Sequence, residues 1–314
     1  MIKQFTYLLL FLIGVTPLIG FSQDYERIDA TILLYPKTFE KAEDLSKFIS
    51  RDFTTDEEKV RAMYSWIIQN IAYEPDEYKQ FDFKFKNYRE RNQKEEKTRE
   101  KVISRTLQKG IAVCEGYAML FEKLCELQGI QNYLVRGDTK TNFNDIGRSF
   151  AKNHMWNVVY IDEEPYLFDL TWGAGRYNGK FIKEPSYFYY KTAPGLFFKT
   201  HYPEMLEDAY IDNIVTREVF STMPLIISER LKIEDVEVPL NGIIRAEDYF
   251  DSVAFTINNA SPSSVSYSYG KEKIKLESFE KSQGRAKFSI PLELGVENLL
   301  IYFDDEPVLG YKIK

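Results

Sequence analysis

This chain is poor in the residues that most often carry chemistry. Among 314 residues there are two cysteines, two histidines and three tryptophans. Two cysteines exclude a disulfide scaffold, and these two cannot pair with each other. Cys114 and Cys125 fall in one predicted helix, about 16 Å apart along its axis, beyond disulfide reach. No metal-ligand cluster, cofactor motif or internal repeat is visible, so neither a metal nor a cofactor is expected. Basic residues are outnumbered, 41 against 48 acidic, and the net charge of −7 argues against a nucleic-acid partner. Long apolar runs are missing as well, with one exception at the N-terminus.

That exception runs from Tyr7 to Ile19, after Lys3, and ends at Gly20-Phe21-Ser22-Gln23. It is short for a membrane span of ~20 residues, and small residues follow it. We read residues 1–22 as a secretory signal peptide, without a cysteine behind it for a lipid anchor. Losing Lys3 moves the net charge from −7 to −8. The mature chain is then expected to be secreted or periplasmic and not membrane-embedded. About 290 mature residues exceed the usual single-domain size, which predicts two domains.

Helices are predicted over 39–50 and 55–71, the second opened by a Thr55/Glu58 capping box and striped by Val60, Met63, Tyr64, Ile67, Ile68 and Ile71. Residues 76–105 are charged and weakly patterned, as in a solvated surface segment. A further helix is expected from Cys114 to Gln128, stopped at Gly129. Residues 133–135, 154–161 and 166–172 read as strands, the last two joined by a short acidic turn. After about residue 220, alternating runs such as Ser252–Ile257 and Leu299–Phe303 between turn residues predict a small antiparallel β-sandwich.

Unpaired thiols in an exported chain need a reason. Cys125 has a structural one, as a small residue on an apolar stripe. Cys114 begins its helix, where free N–H groups and the positive end of the dipole favour a thiolate. Gly116 beside it leaves room for close approach of backbone or substrate. His154 and Asp169 sit on the predicted hairpin. If Asp162-Glu163 is a two-residue turn, Asp169 faces Trp156, and His154 becomes its diagonal neighbour on the same face, within reach of a hydrogen bond. A one-residue slip would separate them. Cysteine, imidazole and carboxylate are the parts of a thiol-nucleophile triad. Trp156, on the His154 face, is a candidate substrate-lining residue, whereas Trp66, Trp172 and His201 (in Thr200-His201-Tyr202-Pro203) read as structural.

Three blocks, Val113-Cys114-Glu115-Gly116-Tyr117-Ala118, His154-Met155-Trp156-Asn157 and Asp169-Leu170-Thr171-Trp172, resemble the core motifs of the transglutaminase-like superfamily. The segment from Thr55 to Tyr73 resembles the helix before that core in bacterial members. The likeness covers roughly residues 28–215 and is nearest the branch that includes the kyphoscoliosis peptidase type. It implies an α+β, papain-like domain over 23–219 followed by the sandwich at 220–314, with Cys114 as nucleophile, His154 as base and Asp169 as orienting acid. It implies a thiol enzyme acting on peptide or glutamine amide bonds of a protein or peptide substrate, as peptidase, amidase or acyl transferase. The alternative is a non-catalytic protein-binding module on the same scaffold.

Overall fold

The computed structural model describes residues 24–80, 88–270, 272–293 and 295–314. The signal-peptide expectation for residues 1–22 lies outside them. Among the described residues, no helix is long and apolar enough to cross a membrane.

The N-terminal part opens on three helices. Helix α1 (Tyr25–Ile32) and α2 (Ala42–Asp52) pack on α3 (Asp56–Asn70). Thr55 and Glu58 cap α3 reciprocally, satisfying two backbone N–H groups that the helix itself cannot. The apolar stripe read from the sequence understates its burial, because Ala62, Ser65 and Trp66 are covered too. Even Arg61 is buried, its guanidinium forked onto Asp29 and laid 3.5 Å over the Tyr187 ring. A planar cation that pairs and stacks at once can tolerate such burial. A parallel pair, β1 (Ala72–Tyr73) with β2 (Ile111–Ala112), brackets α4 (Tyr88–Lys109), so the charged segment is helical from Tyr88 onward.

Helix α5 (Cys114–Leu127) follows directly. It stops where Gly129 takes a φ of 72° and the Ile130 N–H returns to the Cys125 carbonyl. Only glycine adopts that left-handed conformation without cost, so the stop is written in the sequence. Strands β3 (Asn132–Thr139), β4 (His154–Ile161) and β5 (Glu164–Phe168) come next. Asp162 and Glu163, at φ of 51° and 67°, make the two-residue turn between β4 and β5 without a glycine. The register is Asn157 opposite Phe168, which extrapolates to Trp156 opposite Asp169, as the turn length predicted. The predicted strand 166–172 ends early, however. Asp169 is the N-cap of α6 (Leu170–Ala174), so the Asp-Leu-Thr-Trp block turns from strand into helix at its first residue. The hairpin β6 (Gly175–Asn178) and β7 (Lys180–Lys183) precedes β8 (His201–Pro203), which completes a sheet in the order β5-β4-β3-β8.

Helix α5 packs on one face of this sheet. Asn157 donates to the Ala118 carbonyl, and Val159, Ile161 and Phe168 join the main core with Phe121 and Leu124. By strand alternation, His154, Trp156 and Val158 turn to the opposite face. A second core lies between residues 226 and 313. One sheet orders 236–238, 252–257, 285–291 and 280–282; the other carries 306–313 and 298–303 at its centre. Alternate residues of 285–291 are buried, and Phe255 meets Tyr311 across the two sheets at 5.3 Å. This is the antiparallel sandwich expected from the alternation, with one parallel pair at 243–244.

Candidate active site

The site begins with Asp169, which is fully buried and accepts four hydrogen bonds. Oδ1 takes the backbone N–H groups of Thr171 and Trp172, the ordinary work of a helix cap. Oδ2 takes two imidazoles, His154 Nε2 at 2.7 Å and His201 Nε2 at 2.9 Å. Burial alone would raise this carboxyl, but the two imidazoles and its hydrogen bonds hold it well below the usual carboxylate range. An ionised carboxylate can only accept, so both Nε2 atoms carry the proton. For His154 this leaves the Nδ1 lone pair free, the tautomer a general base needs.

Cys114 stands at the first position of α5 and packs with Ala118 and Met155, the residue after His154. Its thiol donates to Glu115 Oε2 at 3.1 Å; among the described residues no hydrogen bond joins it to His154. The helix start favours a thiolate, but burial and the neighbouring Glu115 carboxylate push the thiol well up instead. Glu115 is itself nearly buried, with Arg136 at 3.7 Å its ion partner. The resting thiol is therefore protonated and donates its hydrogen to the Glu115 carboxylate. Cys125 is fully buried and also pushed up by burial. Replacing Glu115 by Gln removes one unit of negative charge beside the sulfur. Iodoacetamide should then alkylate Cys114 about tenfold faster near neutral pH, one pKa unit's worth of thiolate, with Cys125 unchanged. Equal Cys114 rates in the two proteins would show that Glu115 does not restrain the thiol.

Two residues read as substrate-lining are occupied otherwise. A side chain on Gly116 would meet Ala112 Cβ and Thr106 Oγ1 at 2.6 Å, so the missing Cβ serves packing of α5 against α4 and β2. Trp156 is 1% exposed, wedged among Val135, Val158, Leu167 and Phe197. Trp172, expected in the core, is only half-buried and lies beside both imidazoles, with ring centroids 5.9 Å from His154 and 4.5 Å from His201. Trp66 is in the core, as expected.

His201 joins the site from far along the chain, and the sequence reading had left it structural. With it, His154 and Asp169 place three ligand atoms within 4.8 Å of one another, a grouping that could hold a metal ion and that no short-range spacing foreshadowed. The two imidazole N–H groups that point at Oδ2 occupy the position a cation would take.

Residues 43–169 match the family model of the Transglutaminase-like superfamily, a range that contains Cys114 and His154 and ends on Asp169. This part of the chain is a transglutaminase-like domain. Over 190 residues, 58% of this chain, it is 31% identical to the human protein named kyphoscoliosis peptidase (Homo sapiens), and over 155 residues, 48% of this chain, 32% identical to the mouse protein of that name (Mus musculus). The matches cover 26% and 21% of those proteins, so the chain spans about a quarter of the length of the curated relatives it matches. A solved transglutaminase structure is 14% identical, with a TM-score of 0.29, over 57% of this chain and 40% of that one.

Proposed function

We propose that the chain is a thiol-nucleophile enzyme acting on peptide or glutamine amide bonds, with Cys114 as nucleophile, His154 as base and Asp169 as the group that orients His154. The observation that carries this reading is the 2.7 Å contact between His154 Nε2 and Asp169 Oδ2, which fixes Nδ1 as the basic nitrogen. In the reaction, the Cys114 proton passes to His154 Nδ1 as sulfur bonds to the amide carbon. The oxygen of that carbon becomes an oxyanion, for which the Cys114 backbone N–H at the start of α5 is the natural first donor. Collapse breaks the C–N bond, and the amine or ammonia leaves with the proton from His154. Water then adds to the thioester by the reverse proton path, returning the acid and the free thiol.

Asp169 stays ionised throughout and stabilises the imidazolium without taking its proton. Hydrolysis is the main outcome under this reading, because transfer to an amine needs a site that excludes water while admitting the amine. Export through the apolar N-terminal segment, and a boundary near 219 that leaves the sandwich as a docking domain, complete the reading. The core between 226 and 313 supports the boundary, and Phe220 packs back across it on Phe198 and Tyr202.

The resting hydrogen bond from Cys114 to Glu115 favours a second reading, a binding module with a silent thiol. One experiment separates them. A glutamine-containing peptide is incubated with the protein and a labelled primary amine, beside Cys114→Ala and a chain ended at residue 219. The expected result is deamidation or cleavage faster than amine incorporation, lost in Cys114→Ala and kept in the shortened chain. Turnover that survives Cys114→Ala would end the thiol-enzyme reading; amine incorporation outpacing hydrolysis would make the protein a transferase.

A further inference from the structure

We propose that His201 is a positioning residue for this site: its Nε2–H holds Asp169 Oδ2 and shares the carboxylate's charge, so that His154 keeps its orientation on the same oxygen. The proposal rests on the thiol-enzyme reading for its purpose, but its geometry stands without it.

The geometry is built, and at some expense. His201 lies on β8 at the far edge of the sheet, opposite Thr139, while Asp169 follows β5 at the other edge. Two strands separate them, yet Nε2 and Oδ2 are 2.9 Å apart. Between them the Trp156 ring lies against Gly137 of β3 and borders His201. A Cβ on Gly137 would overlap the Trp156 ring and the Tyr202 carbonyl oxygen. The imidazole is then clamped. Phe197 stacks on it at 4.0 Å and 27°, Trp172 lies at 4.5 Å, and Trp156 meets it edge-on at 5.3 Å. Thr200 Oγ1 is 2.8 Å from Nδ1.

The protonation pattern follows from this packing. Complete burial depresses the His201 pKa despite the adjacent carboxylate, so the ring is neutral at ordinary pH. A neutral ring has one N–H, and the carboxylate claims it at Nε2. Nδ1 is left as an acceptor, 2.8 Å from the Thr200 hydroxyl, which also lies 3.4 Å from the Phe197 carbonyl. Oδ2 thus serves two donors at once. A carboxylate with two N–H groups on one oxygen and two on the other is a weaker base than one with three, and pulls less on the His154 proton. A merely structural histidine would fill space without changing that balance.

The other ionisable groups around the pair are Cys114, with Glu115 beside it, and the phenols of Tyr64, Tyr117 and Tyr189. Burial pushes the thiol and all three phenols up. The thiol and the phenols therefore keep their protons at neutral pH and add no charge beside the two imidazoles. The chain has only two histidines, so His201→Phe leaves a single imidazole, and an NMR titration of the full chain without a histidine tag reads His154 alone.

Phenylalanine keeps the stacked ring and deletes the donor. The His154 midpoint is expected to rise by about one pKa unit, as Asp169 turns its full charge on it. Glutamine at 201 restores an N–H near the Nε2 position and should return the midpoint most of the way. Thr200→Val leaves the ring in place but removes the hydroxyl that holds Nδ1, and should move His154 in the same direction by less; this variant carries the test if His201→Phe does not fold. A His154 midpoint unchanged in His201→Phe, or unchanged in Thr200→Val where the first is unfolded, would overturn the proposal, as would a glutamine variant that behaves like phenylalanine. Iodoacetamide labelling of Cys114 against Cys125 in the wild-type sample tests the thiol-enzyme reading separately. If Cys114 is no faster there while His154 still shifts, that reading fails and the role of His201 stands.

Discussion

Replacing Asp169 by Asn is expected to lower amide turnover by about four orders of magnitude, the scale on which a wrong histidine tautomer disables such a site. The asparagine carbonyl can take over Oδ1 and still accept from the Thr171 and Trp172 N–H groups. Its NH2 group then faces two imidazole N–H groups where Oδ2 had accepted both. Donor against donor is resolved only if each ring moves its proton to Nδ1. For His201 that turns the bond with Thr200 around. For His154 it places a proton on the nitrogen that should receive one from Cys114, and the base is gone. The stability cost should be smaller, about 1–3 kcal/mol for imperfectly satisfied buried polar groups. Turnover and thermal unfolding measured on the same sample separate the two effects. Activity within tenfold of wild type would mean that Asp169 does not set the tautomer.

The second large effect is expected at a residue that touches no substrate. Gly137→Ala puts a methyl group where the Trp156 ring and the Tyr202 carbonyl already stand. The ring cannot step aside, because it is wedged among Val135, Val158 and Phe197, and the carbonyl belongs to the paired backbone of β8. Overpacking of this kind costs about 1–3 kcal/mol or more, and for a chain of this size each kcal/mol lowers Tm by about 2–4 °C. Because β8 carries His201, the strand cannot retreat without pulling that ring from Asp169. Thermal unfolding should show the loss, and the His201 imidazole signal should move with it. An alanine variant with wild-type Tm and an unmoved signal would show that the sheet has slack at this point.

Both predictions depend on a site that was only half legible in the chain. Cys114 at a helix start, and His154 on the same face as Asp169, could be read locally. The first needs only the apolar spacing of α5, and the second only the length of the turn at Asp162-Glu163, since alternation along a strand then leaves no freedom. The change to a β-sandwich after residue 220 was legible for the same reason. The chemistry around those residues was not. Glu115 is adjacent to Cys114 in sequence, but nothing local says that its carboxylate turns back to the thiol. Trp156 and Trp172 looked alike as large aromatics, yet one is wedged under β3 and the other lies beside the imidazoles. Helix α6 cut a predicted strand short because the Asp169 side chain caps it, a local competition that alternation does not register.

What the sequence determined by itself is the helices at 55–71 and 114–128, the turn to strands after residue 220, and the register that sets His154 beside Asp169, because each follows from periodicity, caps and a turn within a few residues. What only the tertiary structure decided is the company those groups keep. His201 reaches Asp169 because β8 pairs beside β3, where a glycine lets the Trp156 ring pack against the strand, and the Cys114 thiol is protonated because folding buries it against Glu115. Both outcomes depend on distance through space and on the loss of water, and neither quantity exists until the chain has folded.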